Sequence, residues 1–171
     1  MHTFQPYPLD MLEMNPFTKV GSEWMLVAAG DKEKCNALTA SWGGFGVLWG
    51  KNVAFIFIRD SRYTKELIDK HDSFSMNFFS EKYKNDLKYF GAVSGRQEDK
   101  FKISGLNVNH HNDVPFVDEG NLAFICKKMA AVPITKDTFV DMGLDEKWYS
   151  NADLNNYHTM YIGEITDILA R

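Results

Sequence analysis

Two arginines and two aliphatic hydroxyl side chains, Ser61 and Thr64, lie within residues 59–64, which read Arg-Asp-Ser-Arg-Tyr-Thr. A guanidinium group binds phosphate through two parallel hydrogen bonds. The first N–H groups of a helix that begins here add the positive end of its macrodipole, and Asp60 or Ser61 is a suitable cap for that helix. The segment therefore predicts either an anion-binding turn or a capped helix with two solvated arginines.

The elements that must position this turn are two strands. Residues 36–42 read Asn-Ala-Leu-Thr-Ala-Ser-Trp, so hydroxyl and apolar side chains alternate with the period of a half-buried strand. The glycine-rich residues 43–46 break the alternation and permit a close backbone approach to a ligand. Residues 53–58 form an apolar run that is too short for a core helix, and we expect a strand that is covered on both faces and ends at Arg59.

Further strands and two short helices follow from the same periodicities. We expect strands at 23–29, 74–78, 121–126 and 158–169, and helices from Tyr63 to about His71 and from Ser80 to just before Gly91. The proline-containing residues 1–17 are expected to run extended across the barrel, whereas residues 93–100 and 109–113 are expected to be polar loops. About seven strands with short turns favour an antiparallel barrel over a parallel sheet.

Four blocks of the chain resemble one protein family, the flavin reductase-like FMN-binding proteins with a split β-barrel, and within it the flavoredoxin-type branch. Residues 36–44 resemble its Asn-x-Met-Thr-x-Ser-Trp-Gly strand, and residues 59–64 are similar to its Arg-Pro-x-Arg-Tyr-Thr turn. Residues 94–101, Ser-Gly-Arg-Gln-Glu-Asp-Lys-Phe, resemble its Ser-Gly-Arg-x-x-Asp-Lys-Phe segment. Residues 157–165 resemble its closing strand. The resemblance implies a mainly β chain forming a single antiparallel split β-barrel domain, 1–171, with flanking short helices.

The same resemblance implies an FMN-binding oxidoreductase or electron-transfer protein that is a homodimer. The implied electron donor is NAD(P)H or a protein, and the implied acceptor is a flavin or a protein. Because the flavin itself carries out the redox chemistry, no catalytic side chain is required. Asp60 replaces the usual proline, which places a negative charge beside the phosphate site unless Asp60 caps the helix. The residues implied for FMN binding are Asn36, Ala37, Leu38, Thr39, Ser41, Trp42, Arg59, Ser61, Arg62, Thr64, Ser94 and Lys100.

Other interpretations remain open at the level of sequence. The chain can be a binding module that holds FMN, or haem with His71 or His158 as the axial ligand, without turnover. A third alternative is a relative of pyridoxamine phosphate oxidase, which shares the barrel and the cofactor. His158 is either a proton donor near the flavin or a structural residue, Cys35 either approaches the ring or is a core thiol, and Lys100 either reaches the cofactor or pairs with Asp99.

Composition excludes several classes. A net charge of -4 without a basic stripe argues against nucleic acid, and the adjacent histidines of 109–113 point to opposite faces of an extended segment, which argues against a metal site. The chain contains no dinucleotide-binding glycine motif, no P-loop and no nucleophile elbow. Two distant cysteines, no secretory signal and no membrane-spanning run predict a cytoplasmic protein that does not enter membranes.

Overall fold

A computed structural model describes residues 2–171. The strands are β1 (Gln5–Pro6), β2 (Met25–Gly30), β3 (Cys35–Ala40), β4 (Gly43–Leu48), β5 (Lys51–Arg59), β6 (Ser73–Phe78), β7 (Val108–His111), β8 (Val114–Val117), β9 (Leu122–Pro133) and β10 (His158–Ala170). The helices are α1 (Pro16–Thr18), α2 (Tyr63–Lys70), α3 (Lys84–Ala92), α4 (Lys100–Ser104) and α5 (Met142–Trp148). Single 3-10 turns lie at Leu9–Met11, Glu81–Tyr83, Lys136–Thr138 and Asn151–Asp153, and a π turn at Lys19–Glu23.

The strands form one antiparallel sheet in the order β3-β2-β6-β9-β10-β5-β4, and β1 adds to the edge of β10. The sheet curls until β3 contacts β5, so the two ends of the strand order approach each other. The hairpin β7–β8 forms a separate small sheet. This arrangement confirms the expected mainly β, antiparallel split barrel with flanking short helices.

Apolar side chains divide the interior into layers on either side of the sheet. Phe74, Met76 and Phe78 face the main core, as the alternation in β6 predicts. A second cluster lies between the sheet and α3, where Leu87 and Phe90 pack against the strands. Because apolar clusters cover both faces, even short strands gain enough burial to be stable.

Four expectations about elements are wrong. The glycines of 43–46 do not interrupt the sheet but form β4, because a ladder needs only backbone groups; at Gly43 a side chain would collide with the carbonyl of Phe55. The polar residues 109–111 do not form a loop but belong to β7, which pairs with β8. Helix α3 continues past Gly91 to Ala92. Strand β9 does not end at residue 126, as expected, but runs on through Pro133, where β10 pairs with it.

Candidate functional site

The candidate site lies along the exposed edge of β3. Strand β3 stands at one end of the sheet order and, within residues 2–171, pairs only with β2. One row of its backbone N–H and C=O groups is therefore left without a strand partner. A cavity of about 190 Å³ opens at this edge, and its lining residues are Leu38, Thr39, Ala40, Ser41, Trp42, Phe57, Ile58, Arg59, Arg62 and His158. We call it the edge pocket.

The side chains of β3 leave mainly its backbone available to a ligand. Leu38 and Ala40 bury their side chains in the main core. The hydroxyl of Thr39 donates to the carbonyl of Leu87 in α3, whereas the hydroxyl of Ser41 has no hydrogen-bond partner in the described part of the chain. A ligand in the edge pocket therefore meets peptide groups and one hydroxyl rather than charged side chains along this wall.

Arg59 connects the edge pocket to residues 136–156, which we call the covering segment. Its guanidinium donates to the carbonyl of Asn156 at 3.1 Å and lies 3.2 Å from a carboxylate oxygen of Asp153. It also lies 5.5 Å from the ring centre of Tyr149. Arg59 therefore contributes positive charge at the pocket while fixing the segment beside it.

Arg62 supplies the second positive charge and joins two helices. Its guanidinium donates to the carbonyls of Gly91 at 2.8 Å and Phe90 at 3.1 Å, at the C-terminal end of α3. Burial, and secondarily the charge of Arg59, lower the pKa of Arg62. The free carbonyls at a helix end attract such a cation, so the two arginines of the edge pocket are held in place by backbone acceptors.

The expected side-chain cap of α2 is wrong. The N-cap residue is Arg62, and no side chain caps the helix. Asp60 instead accepts a hydrogen bond from the hydroxyl of Thr159 at 3.1 Å, and the backbone N–H of Ser61 donates to the side-chain oxygen of Asn156. The first turn of α2 thus begins beside two arginines without a capping carboxylate.

Three predicted site residues are buried outside the edge pocket. The amide of Asn36 donates to the hydroxyl of Thr64 at 2.8 Å. The ammonium of Lys100 donates to the carbonyls of Ala37 and Phe90, and burial, followed by the charge of Arg62, lowers its pKa to about 8. Asn36 and Lys100 line a different cavity, of about 380 Å³. In this structure these residues support β3, and their contact with a cofactor stays a prediction.

The loop before α4 approaches the start of α2 from the other side. Arg96 donates to the carbonyl of Ser61 at 2.9 Å, and the hydroxyl of Ser94 accepts from the N–H of Arg96. Asp99 caps α4 by accepting from the N–H of Lys102, so the alternative pairing of Asp99 with Lys100 is wrong. Ser61 and Ser94 do not line the edge pocket, and their phosphate-binding roles also stay predictions.

Aromatic rings close one side of the edge pocket. The ring of Trp42 lies 4.8 Å from that of His158 and 5.0 Å from that of Trp148, centre to centre. The Nδ1 atom of His158 is 2.7 Å from the hydroxyl of Tyr149, which stacks on Tyr157. Trp42, which the resemblance implied for the flavin site, and His158 do line the edge pocket. The contacts that bring Trp148 and Tyr149 beside them join separate stretches of the chain, so no local pattern predicts them.

At neutral pH, His158 and Cys35 are both uncharged. Burial, followed by the charge of Arg59, lowers the pKa of His158 to about 4, so its ring is neutral. Burial, followed by the charges of Asp99 and Asp31, raises the pKa of Cys35 to about 11, and burial also raises that of Cys126. Cys35 lines the cavity beside Lys100 rather than the edge pocket. The structure therefore supports structural roles for His158 and for both thiols.

The described residues contain neither a metal-binding cluster nor a helix able to span a membrane. Across residues 2–171, no three or more His, Cys, Asp or Glu side chains are grouped so as to hold a metal ion. No helix in that same range combines the length and apolar character needed to cross a membrane.

Solved structures of known proteins share this fold. A flavoredoxin from Desulfovibrio vulgaris (Miyazaki F) is 25% identical, with 86% of this chain and 69% of that one covered and a TM-score of 0.66. A flavoredoxin from Methanosarcina acetivorans is 22% identical over 87% of this chain and 68% of that one, with a TM-score of 0.67. An FMN-binding domain of a flavin reductase-like enzyme from Shewanella baltica is 14% identical, with 98% of this chain and 77% of that one covered and a TM-score of 0.70.

The family comparison covers most of the chain, although no curated protein matches it. Residues 17–171 match the family model described as "Flavin reductase like domain". That range contains β2 to β10, both arginines of the edge pocket and the four blocks that carry the resemblance. The chain therefore belongs to the flavin reductase like domain family, a family of flavin-linked redox proteins.

Proposed function

We propose that the chain is an FMN-dependent oxidoreductase that binds FMN at the edge pocket. One observation carries the proposal: the unpaired backbone edge of β3 and the guanidinium groups of Arg59 and Arg62 line the same cavity. Peptide N–H and C=O groups match the donors and acceptors of a flavin's pyrimidine edge. Arginine is well suited to the phosphate, so the set of available groups fits FMN.

Each group has a separate task in the proposed site. Backbone groups of 38–41 orient the ring, and the hydroxyl of Ser41 adds a donor at its rim. Arg59 and Arg62 bind the phosphate, with Ser61 and Ser94 nearby because Arg96 joins their two loops. Asn36, Thr64 and Lys100 hold β3 in place through the contacts described above.

When bound, FMN would supply the redox chemistry, which is the transfer of a hydride or electrons from a donor to an acceptor. The protein contributes position, polarity and access. Trp42 and the neutral ring of His158 cover one side of the pocket and exclude water there. We propose NAD(P)H or a protein as the donor and a flavin or protein as the acceptor, and a homodimer as the working assembly.

The test is an absorption spectrum of the purified chain with added FMN, before and after anaerobic addition of NADH or NADPH. Flavin bands that shift on binding and bleach with a nicotinamide support the enzyme. Bands that persist with either nicotinamide indicate a protein donor or a carrier without nicotinamide turnover. Absence of flavin binding would contradict the proposal.

Arg62→Gln tests the phosphate contact through a ratio of affinities. Losing one charge-assisted contact of about 1.5 kcal/mol or more lowers FMN affinity about tenfold, whereas riboflavin, which has no phosphate, is affected less. We expect the FMN-to-riboflavin affinity ratio to fall about tenfold, measured by flavin fluorescence titration. A general loosening of α3 lowers both affinities alike and leaves the ratio unchanged.

Lys70→Gln is the matched control, because Lys70 is exposed at the other end of α2 and does not line the edge pocket. We expect it to leave the ratio near that of the unaltered chain. Equal falls in the two variants, or an unchanged ratio in Arg62→Gln, would remove Arg62 from the phosphate site.

A further inference from the structure

A second cavity lies directly beside the edge pocket. It has a volume of about 290 Å³ and shares two lining residues, Thr39 and Ser41, with the edge pocket. Its remaining lining residues are Trp24, Leu87, Lys88 and Gly91. We call it the side cavity. Because the two cavities meet at the same residues of the sheet end, a molecule in the side cavity would be a neighbour of the proposed FMN.

Trp24 forms a fixed aromatic wall of the side cavity. Its backbone has φ 69° and ψ 173°, a conformation that is costly for a residue with a large side chain. Lys84 holds it there: the ammonium lies 3.6 Å from the centre of the indole ring and also donates to the carbonyl of Glu23 at 3.1 Å. Strain that neighbours maintain in this way is concentrated at binding sites in proteins.

The polar groups of the side cavity are one cation and one hydroxyl. Lys88 is exposed and, within residues 2–171, forms neither an ion pair nor a hydrogen bond. The hydroxyl of Ser41 is likewise available, whereas that of Thr39 is engaged with Leu87. No carboxylate is among the lining residues. An indole face, an aliphatic side chain and an unpaired ammonium together match a flat ring that carries a negative charge.

We propose that the side cavity binds a small planar aromatic anion, such as an aromatic carboxylate, next to the flavin. The ring packs against Trp24 and Leu87, and the anionic group faces Lys88. The role of this molecule as a second reactant depends on the proposed function. Its binding does not.

The experiment uses the full chain with indole-15N-labelled tryptophan, once with saturating FMN and once without flavin. Trp24→Phe identifies the Trp24 signal among the four indole N–H signals. Benzoate is titrated as the probe and benzamide as its neutral counterpart. We expect benzoate to shift the Trp24 signal saturably, and to bind more tightly than benzamide.

Lys88→Gln separates charge recognition from ring packing. We expect it to weaken benzoate about threefold to fivefold, as for an exposed ion pair of up to about 1 kcal/mol, and to leave benzamide unchanged. Lys82→Gln is the matched control, because Lys82 is also exposed and lies just before α3 but does not line the cavity. We expect it to change neither affinity.

Two results would overturn the proposal: shifts confined to Trp42 and Trp148, which place benzoate in the edge pocket, or equal benzoate affinity in the unaltered chain and Lys88→Gln. The flavin spectrum gives an independent result. If FMN does not bind while benzoate still shifts the Trp24 signal, the side cavity stands and the proposed function fails. If FMN binds and the Trp24 signal does not respond, the proposed function stands and the side cavity proposal fails.

Discussion

At the scale of single residues, His158 shows how the site keeps a titratable group neutral. Its ring is packed against Trp42 and held at Nδ1 by the hydroxyl of Tyr149. Burial there disfavours the charged form, and the nearby guanidinium of Arg59 disfavours it further. A cationic ring would insert a second like charge beside Arg59, so acid should disturb this part of the protein first.

This arrangement predicts a specific loss of stability in acid. The pKa of His158 is about 4 in the folded chain, below the reference value of 6.5 that applies to the unfolded chain. Between pH 4 and 6.5 the unfolded chain therefore binds a proton that the folded chain does not. The free energy of unfolding should therefore fall as pH drops from 6.5 to 4, by up to about 3 kcal/mol from this residue. Urea unfolding at several pH values measures it.

His158→Gln is the comparison for that measurement. Its unfolding free energy should decline less over the same pH range, because glutamine does not titrate. Parallel pH profiles for the two proteins would show that His158 is not the group responsible.

At the scale of elements, β10 pairs with three strands, β1, β5 and β9, and requires a glycine where it crosses the core. A Cβ atom on Gly163 would lie 2.7 Å from the ring of Phe74 and 2.9 Å from the Cβ of Cys126, at an irregularity in the pairing of β10 with β9. Strand and aromatic ring are both buried, so neither can move away without disturbing the core.

Gly163→Ala should therefore lower the free energy of unfolding by about 1–3 kcal/mol, the usual cost of overpacking. Gly44→Ala, in the edge strand β4, has no atom within 4 Å of the added methyl group and should change stability by no more than about 0.5 kcal/mol. Urea unfolding of both variants provides the measurement. A similar effect of the two substitutions would contradict the close contact at Gly163.

Arg59 holds the covering segment against the end of β5 through several contacts. Arg59 contacts the carbonyls of Trp148 and Asn156 and the carboxylate of Asp153. Arg59→Met should release these groups, so the segment should open more often and be cleaved several-fold faster by a protease that cuts after aromatic residues.

Arg96→Met serves as the control for that digestion, since Arg96 contacts Ser61 and Glu66 instead. Its cleavage rate within 136–156 should match that of the unaltered chain. Mass spectrometry of early fragments locates the cuts, and equal rates in both variants would show that Arg59 does not hold the segment.

At the scale of the whole molecule, exposed apolar side chains are concentrated on the covering segment. Five of the large apolar side chains that are exposed in the described structure lie there: Val140, Met142, Leu144, Trp148 and Leu154. Contiguous exposed apolar groups commonly mark a protein interface, and closed twofold dimers are the commonest assemblies of identical chains. The segment thus supports the proposed homodimer and would place its interface beside the edge pocket.

The corresponding prediction is a molar mass in solution of twice the 19.6 kDa of one chain, measured by light scattering during size-exclusion chromatography. Leu144→Glu should shift the population toward single chains, because it buries a charge in the interface. Val47→Glu, an exposed apolar residue on β4, is the control and should leave the mass unchanged. A single-chain mass for the unaltered protein would contradict the dimer.

Local patterns in the sequence were sufficient for the elements that carry the edge pocket. The alternation in 36–42 and the apolar run ending at Arg59 predicted β3 and β5, and both arginines were found at the cavity. The loop expected at 109–113 is wrong although the local signal for a hairpin is present: Asn112 and Asp113 form the turn between β7 and β8 with φ values of 48° and 64°.

Roles set by distant contacts could not be predicted from local patterns. Thr64 and Lys100 belong to segments that resemble phosphate-binding motifs, yet their polar atoms meet Asn36 and Ala37, 28 and 63 residues away in sequence. Whether a lysine faces solvent or a buried carbonyl depends on how helices pack on the sheet. That packing is a property of the folded chain and has no signature within a few residues.

The unpaired edge of β3 also affects the tendency of the protein to self-associate. Residues 35–42 contain no charge and no proline, which are the features that normally keep an open strand from adding to a neighbouring molecule. FMN bound as proposed would occupy the place of such a neighbour. The flavin-free chain should therefore self-associate through this edge more readily than the FMN-bound chain.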